Sequence, residues 1–168
     1  MATLQKIEPC LWFDDQAEAA ANFYVSIFPD AAIETVTRYG EAGRAIHRKP
    51  PGSVLTVSFR LAGQHFLALN GGPQFRFTEA VSLIVRCETQ AEIDHFWLRL
   101  GDGGDPEAQQ CGWLKDKFGL SWQVVPVALL EMMLDRDASK PARVMKAFMQ
   151  MKKFDIETLK RAYQGETV

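Results

Sequence analysis

Residues 7–13 carry the clearest pattern of reactive side chains in this chain of 168 residues. The run alternates as a strand does, so Glu8, Cys10 and Trp12 are expected on one face. We expect Glu8 to be buried beside Trp12 and Phe13, an environment that suits a carboxylate to act as a general base. Glu8 is therefore the predicted catalytic residue.

A second polar set lies in a strand-like run near residue 120. Alternation places Ser121, Gln123 and Val125 on one face of that run, and Trp113 precedes it in the sequence. An apolar concavity with a few polar groups is the usual composition of a small-molecule site. The two runs together predict a cup that binds a small molecule.

The three cysteines and three histidines add little chemistry of their own. Cys10, Cys87 and Cys111 form no C-x-x-C pair, which indicates reduced thiols of a cytosolic protein. Cys111 has no partnering base in the sequence around it, and a buried inert thiol is the commoner role. His47 falls in a polar loop and His95 in a predicted helix, so neither predicts a site.

Charge and hydropathy argue against several classes of partner. The formal net charge is -2 and the sequence pI is about 5.9, so nothing indicates binding to nucleic acid or to an anionic membrane. No apolar stretch is long enough to cross a bilayer, and the N-terminus lacks a basic region followed by an apolar one. We expect a cytoplasmic protein.

One local pattern occurs twice along the chain. The tripeptides at residues 16–18 and 90–92 both read Gln-Ala-Glu, and each follows a strand-like run and precedes two adjacent aromatic residues. Shorter apolar runs separated by glycines follow both copies. Internal repetition of this kind indicates a duplicated structural unit.

Both copies predict the same order of elements. The first predicts a helix capped by Asp14 or Asp15, and a long polar loop at residues 40–52. The predicted strands are residues 7–13, 32–39, 53–61, 64–69, 78–87, 109–114 and 120–125. The second repeat helix is predicted at residues 89–100, and three further helices at 127–134, 140–151 and 155–163.

This order predicts an α+β fold made of two βαβββ modules, because two or three strands follow each helix. The first module spans residues 1–73, the second 74–126, and a helical extension covers 127–168, all in one unit. No dinucleotide fingerprint, phosphate-binding loop or nucleophile elbow is present.

Several motifs resemble the vicinal-oxygen-chelate superfamily, which includes glyoxalase I, extradiol dioxygenases and bleomycin-resistance proteins. Within it, the chain resembles the PhnB-like group, also labelled demethylubiquinone methyltransferase-like. The resemblance rests on the motifs at residues 11–18, 23–24, 69–72, 110–116, 119–123, 143–145 and 151–155. It implies cupped sheets and a homodimer, since modules of this superfamily commonly complete their cups across a subunit interface. No glycine-rich S-adenosylmethionine loop supports the methyltransferase label.

The resemblance also implies where a metal would bind, on the first and last strands of each module. Matching the two repeats places those positions at Glu8, Leu67, Ser82 and Gln123. Leu67 has no donor atom and Ser82 is a poor ligand, so a catalytic divalent metal is not expected. If a metal is present, Glu8 and Gln123 are its expected ligands. The same register places His65 on the cup face with Leu67.

Three functions remain open at this stage. The sequence favours a metal-independent protein that binds a small molecule in the cup, and whether it is also an enzyme is uncertain. The first alternative is a metal-dependent lyase, isomerase or dioxygenase that uses Glu8 and Gln123. The second is a structural or regulatory dimer with a vestigial pocket. The predicted ligand-contacting residues are Glu8, Cys10, Trp12, His65, Leu67, Ser82, Cys111, Trp113, Ser121 and Gln123.

Overall fold

Each half of the chain begins with a short strand that leads directly into a helix. A computed structural model describes residues 5–167, and they divide into two units between Phe77 and Thr78. The elements of the first unit are β1 (Cys10–Phe13), α1 (Ala17–Val25), β2 (Ala32–Arg38), α2 (Arg44–His47), β3 (Val54–Leu61) and β4 (Gln64–Asn70).

The second unit repeats this order and adds three helices. Its elements are β5 (Ser82–Cys87), α3 (Gln90–Gly101), β6 (Asp105–Gln110), β7 (Trp113–Lys115), β8 (Ser121–Pro126), α4 (Val127–Met133), α5 (Ser139–Phe148) and α6 (Ile156–Gln164). In the described residues, no helix has both the length and the apolar character needed to span a membrane.

The two sheets have the same topology. Their strand orders are β1-β4-β3-β2 and β5-β8-β7-β6. In each sheet the first strand of the module pairs in parallel with the last, and the remaining pairs are antiparallel. The pairs Cys10–Leu67 and Ile84–Gln123 occupy equivalent places, as the matched repeats predict. The α+β fold with duplicated βαβββ modules is confirmed.

A helix covers one face of each sheet with apolar side chains. In the first unit Tyr24 of α1 stacks on Phe59, with ring centroids 6.2 Å apart, and Phe59 stacks on Phe66 at 5.4 Å. All three side chains are buried. Burial of one such side chain contributes about 1.5–3 kcal/mol to folding, so this contact fixes the helix to its sheet.

The helix of the second unit begins as its sequence predicts. The hydroxyl of Thr89 accepts a hydrogen bond from the amide of Glu92, and the Glu92 carboxylate accepts one from the amide of Thr89. This reciprocal arrangement is a capping box. Buried Ile93, Phe96 and Leu100 then face the sheet.

The helix of the first unit is capped from a distant strand. The prediction that Asp14 or Asp15 caps α1 is wrong, because the N-cap is Gln16 and its side chain makes no capping bond. Instead the side-chain oxygen of buried Asn70 accepts a hydrogen bond of 2.8 Å from the amide of Ala17. The side-chain nitrogen of Asn70 donates to the carbonyl of Val54 at 3.1 Å.

Several predicted elements differ from the structure. The first strand begins at Cys10 rather than at residue 7, and the strand predicted at residues 78–87 begins at Ser82. The loop at residues 40–52 contains the short helix α2. The strand predicted at residues 109–114 is two strands, joined by a turn in which Cys111 and Gly112 have φ of 50° and 80°.

The segment that follows α5 is hydrogen-bonded to that turn. The amides of Cys111 and Gly112 donate to the carbonyls of Met151 and Lys152, both at 2.8 Å. A side chain at position 112 would meet the Phe154 ring at 2.3 Å. Gly112 is therefore required both by its positive φ and by the close approach of the ring.

The Asn70 cap gives a direct test of the first module. We expect Asn70→Ala to destabilise the protein by about 2–3 kcal/mol, because it removes two hydrogen bonds of a buried side chain, one from the Ala17 amide and one to the Val54 carbonyl. Urea unfolding followed by circular dichroism measures the change. The control Asn22→Ala, at an exposed position of α1, should change stability by less than about 0.5 kcal/mol. Equal effects of the two substitutions would contradict the role of Asn70.

Candidate functional site

The face of the first sheet that α1 does not cover is lined by alternate residues of its strands. On β1, Leu11 and Phe13 are buried against the helix side, whereas Cys10 is exposed and Trp12 is half-buried. The strand register extends this face across β4 and β3. The first open face consists of Cys10, Trp12, Thr56, Ser58, Arg60, His65, Leu67 and Leu69.

Three rows of side chains cross this face. Cys10, Leu67 and Ser58 form the central row. Trp12 and Leu69 lie in the row at one end, and His65 pairs with Arg60 at the other. His65 and Leu69 are four residues apart on one strand, a distance of about 13 Å. The face therefore runs from an aromatic and apolar end to a charged end.

Trp12 is held rigidly at the apolar end. Its ring nitrogen donates a hydrogen bond of 2.8 Å to the carbonyl of Gly72. A side chain at Gly71 would come within 2.2 Å of the ring, so only glycine allows this packing. Phe75 meets Trp12 edge-on, with ring centroids 5.0 Å apart. The Asn-Gly-Gly motif at residues 70–72 thus caps α1 and supports Trp12.

A cluster of charged groups surrounds His65 at the other end. Nδ1 of His65 lies 3.0 Å from a carboxylate oxygen of Glu34, and Nε of Arg60 lies 3.7 Å from the second oxygen. Arg60 also bonds the Asp30 carboxylate at 2.7 Å. That hydrogen bond, and then the charge of Asp30, raise the pKa of Arg60.

Sequence reasoning missed Glu34 as a member of this cluster. Alternation along β2 identifies Glu34 only as a polar position, in contrast to the apolar positions Ile33 and Val36. The pairing of β2 with β3 shifts register between Ile33 and Thr35. The Glu34 side chain contacts His65 of β4. A bulge of this kind has no clear sequence signal when no glycine marks it.

The second sheet has an open face at equivalent positions. Ile84 on this face is 50% exposed, whereas Val85 and Cys87 on the helix side are buried. The side-chain nitrogen of Gln123 donates to the hydroxyl of Ser82 at 2.8 Å. The second open face consists of Ser82, Ile84, Arg86, Trp113, Lys115, Ser121, Gln123 and Val125. Two of these residues, Ser121 and Val125, are buried in the structure.

Two of the predicted site residues occupy other environments than expected. Glu8 precedes β1 and is exposed, so the prediction that it is buried is wrong. The reason is that pairing with β4 begins only at Pro9, whose carbonyl accepts a hydrogen bond of 3.0 Å from the Leu67 amide. Cys111 lies in the β6–β7 turn rather than on a strand, with its sulfur 3.9 Å from that of Met149. Their roles in binding or catalysis stay predictions.

The donor atoms do not fit a catalytic metal. In residues 5–167 no three His, Cys, Asp or Glu side chains are grouped so that they could hold a metal ion. At the four positions implied by the superfamily, Leu67 offers no donor atom and the amide nitrogen of Gln123 is bonded to Ser82. Glu8 alone is a good ligand, and one carboxylate does not hold a transition metal. We derive no catalytic step through a metal.

Two of the thiols are poor nucleophiles at neutral pH. Partial burial, and then the charge of Glu8, raise the pKa of the Cys10 thiol. Burial raises the pKa of Cys87 to about 12, with a smaller contribution from Glu92. The thiolate is the reactive form of cysteine. Cys10 therefore contributes to the first open face as a neutral side chain.

Two cavities in the described residues lie away from the open faces. One of about 550 Å³ is lined by residues of α5 and α6, including Arg143. The guanidinium of Arg143 already donates to the carbonyls of Ala162 and Tyr163. A smaller cavity of about 280 Å³ lies beside the start of α1. Neither brings together free polar groups and fixed aromatic rings as the first open face does.

Comparison with known proteins identifies a matching family model and a similar solved structure. Residues 5–125 match the family model described as 3-demethylubiquinone-9 3-methyltransferase. A solved structure from Bacillus cereus, described as a putative 3-demethylubiquinone-9 3-methyltransferase, PhnB protein, is 38% identical. The match covers 73% of this chain and 100% of that chain, with a TM-score of 0.62.

Two further structures are more distant. A protein from Staphylococcus aureus is 31% identical over 73% of this chain and 96% of that chain, with a TM-score of 0.33. Protein PA1353 from Pseudomonas aeruginosa is 19% identical over 74% of this chain and 98% of that chain, with a TM-score of 0.56, and shares the fold. No curated protein matches the chain.

The environment of Cys10 makes a prediction about thiol chemistry. Because a raised pKa leaves less thiolate below it, we expect iodoacetamide to modify Cys10 slowly at pH 7 and faster as the pH rises. Glu8→Gln should speed the reaction at pH 8 by removing one of the two causes of the raised pKa. Mass spectrometry of the digested protein measures the rate, and Cys111 serves as the internal reference. An unchanged rate at Cys10 would show that Glu8 does not act on the thiol.

Proposed function

Because the chain belongs to the 3-demethylubiquinone-9 3-methyltransferase family, the PhnB-like group of the vicinal-oxygen-chelate superfamily, we propose that it binds a small organic molecule without a catalytic metal. The ligand lies against the open face of a sheet. The observation that carries this proposal is the first open face, where a rigidly held tryptophan and two leucines adjoin a hydrogen-bonding cluster.

The physical case rests on what this face exposes to solvent. Trp12, Leu67 and Leu69 are only half-buried, although Trp12 has its polar atom satisfied by Gly72. Covering 100 Å² of apolar surface gives about 2.5 kcal/mol. A ring fixed before binding loses little entropy when the ligand arrives. Such a surface favours a flat, largely apolar molecule.

The second open face, taken by itself, offers polar contacts to a ligand. Gln123 uses its amide nitrogen on Ser82, which leaves its carbonyl oxygen to accept a bond from a ligand. Trp113 pairs with Gln123 on the neighbouring strand and offers an aromatic wall. The proposed contacts are Glu8, Cys10, Trp12, His65, Leu67, Ser82, Cys111, Trp113, Ser121 and Gln123.

The proposal does not extend to the reaction in the family's name. Methyl transfer requires a site for a methyl donor, and the sequence contains no glycine-rich loop of the kind that binds S-adenosylmethionine. We also propose that the protein is a cytoplasmic homodimer, as its superfamily suggests. A metal-dependent enzyme that uses Glu8 is the alternative with the least support, because the implied positions offer too few metal-binding side chains.

Metal content tests the metal-independent part of the proposal. After incubation with zinc, nickel, manganese or iron(II) and desalting, we expect far less than one metal ion per chain by mass spectrometry, because the described residues contain no group of three His, Cys, Asp or Glu side chains that could hold a metal ion. A stoichiometric metal lost in Glu8→Ala, and retained in the exposed control Glu107→Ala, would replace this proposal with a metalloenzyme.

Binding of an aromatic probe tests the first open face. Line broadening in proton NMR spectra measures the affinity of 2-methoxynaphthalene for the protein. We expect Leu67→Lys to weaken binding at least tenfold, because a charged side chain then occupies the central row. The control Leu98→Lys makes the same change at a position that is 72% exposed on α3, and should leave the affinity unchanged. Absence of probe binding to the unaltered protein would contradict the proposal.

A further inference from the structure

The contact between His65 and Glu34 fixes the hydrogen on the imidazole ring. Nδ1 of His65 lies 3.0 Å from the Glu34 carboxylate. An ionised carboxylate only accepts hydrogen bonds, so Nδ1 must carry the hydrogen. In the neutral ring this leaves a lone pair on Nε2. Glu34 thereby makes Nε2 a hydrogen-bond acceptor.

No described residue uses that acceptor. The hydrogen bonds of the described chain include the Nδ1 contact of His65 and none from Nε2, and 40% of the side chain is exposed. A histidine that only stabilised the sheet would gain nothing from a free acceptor on the uncovered face. The free acceptor is instead what a ligand with a hydrogen-bond donor requires.

His65 is also held in place from several directions. The amide of His65 donates to the side-chain oxygen of Gln5 at 3.2 Å, and the Gln5 nitrogen donates back to the His65 carbonyl at 3.3 Å. Arg60 steadies the Glu34 carboxylate at 3.7 Å and is itself anchored by Asp30 at 2.7 Å. Support of this kind preorganises a binding group before the ligand arrives.

The position of His65 on the sheet limits what can bind there. Leu67 lies on the same face two residues along β4, about 7 Å away, and is half-buried. A donor group that reaches Nε2 therefore places the adjoining part of the same molecule on Leu67. The ligand must carry a hydrogen-bond donor directly next to an apolar body.

We propose that His65 determines ligand specificity, with its Nε2 accepting a hydrogen bond from a hydroxyl group attached to an apolar, ring-containing molecule. Glu34 is the positioning residue that sets the tautomer. This inference rests on the proposed function, since it concerns a ligand on the first open face.

An ordinary surface ion pair would behave differently. Exposed pairs contribute about 0–1 kcal/mol to stability and have no effect on which ligand is chosen. A site that bonds a hydroxyl discriminates against an analogue without it, because the acceptor is then left without a partner. Selectivity between two matched ligands therefore separates the two roles.

The experiment compares 2-naphthol with its methyl ether, 2-methoxynaphthalene, by proton NMR titration. The preference is the affinity for 2-naphthol divided by the affinity for its methyl ether. We expect this ratio to be about fivefold to tenfold higher in the unaltered protein than in His65→Phe, which is the range for one good hydrogen bond. Glu34→Gln should reduce the preference, because an amide no longer enforces one tautomer. His95→Phe, which removes an exposed histidine from α3, should keep the preference of the unaltered protein.

The outcomes distinguish the inference from the proposed function. If the ether binds but the preference is the same in His65→Phe, the role of His65 is wrong and the binding function stands. If neither probe binds to the unaltered protein, both proposals are wrong. Should His65→Phe fail to fold, His65→Leu provides the same comparison, since leucine also lacks a hydrogen-bond acceptor.

Discussion

The parallel pairing of the first and last strands closes each module, and the rest of the structure depends on it. β1 lies beside β4, and β5 lies beside β8. In both modules the helix that follows the first strand therefore crosses the equivalent face of its sheet. That face becomes apolar and buried. The opposite face is not covered by that helix, and its side chains come from both ends of the module. The candidate site is thus a consequence of the pairing.

In the first module one short motif connects this architecture to the candidate site. Asn70 caps α1 and bonds β3, while Gly71 leaves room for the ring of Trp12 and the Gly72 carbonyl accepts the hydrogen bond of the ring nitrogen. The same turn therefore fixes the helix on one face and the aromatic wall on the other. A change there would alter stability and binding together. This coupling explains why the motif combines a capping residue with residues that have no side chain.

The motifs that carry the strongest family resemblance have mainly structural roles. Gly112 admits Phe154, and the buried Asp116 carboxylate accepts bonds from the amides of Phe118 and Leu120 and from the ring nitrogen of Trp122. Only five of the ten residues proposed to contact a ligand lie within the motifs that carry the resemblance, and His65 and Leu67 lie outside them. The motifs therefore identify the fold more firmly than the ligand.

The sequence by itself determined the duplicated modules, the equivalence of Leu67 with Gln123, and the face that holds Trp12, because strand alternation and repeated spacing are local properties. It did not predict the Asn70 cap, the cluster of Glu34 with His65, or the exposure of Glu8. Each of these depends on which distant strand lies alongside and where pairing starts. Only the tertiary structure decides those contacts, since a bulge or a shift of one residue changes the partners of every side chain that follows.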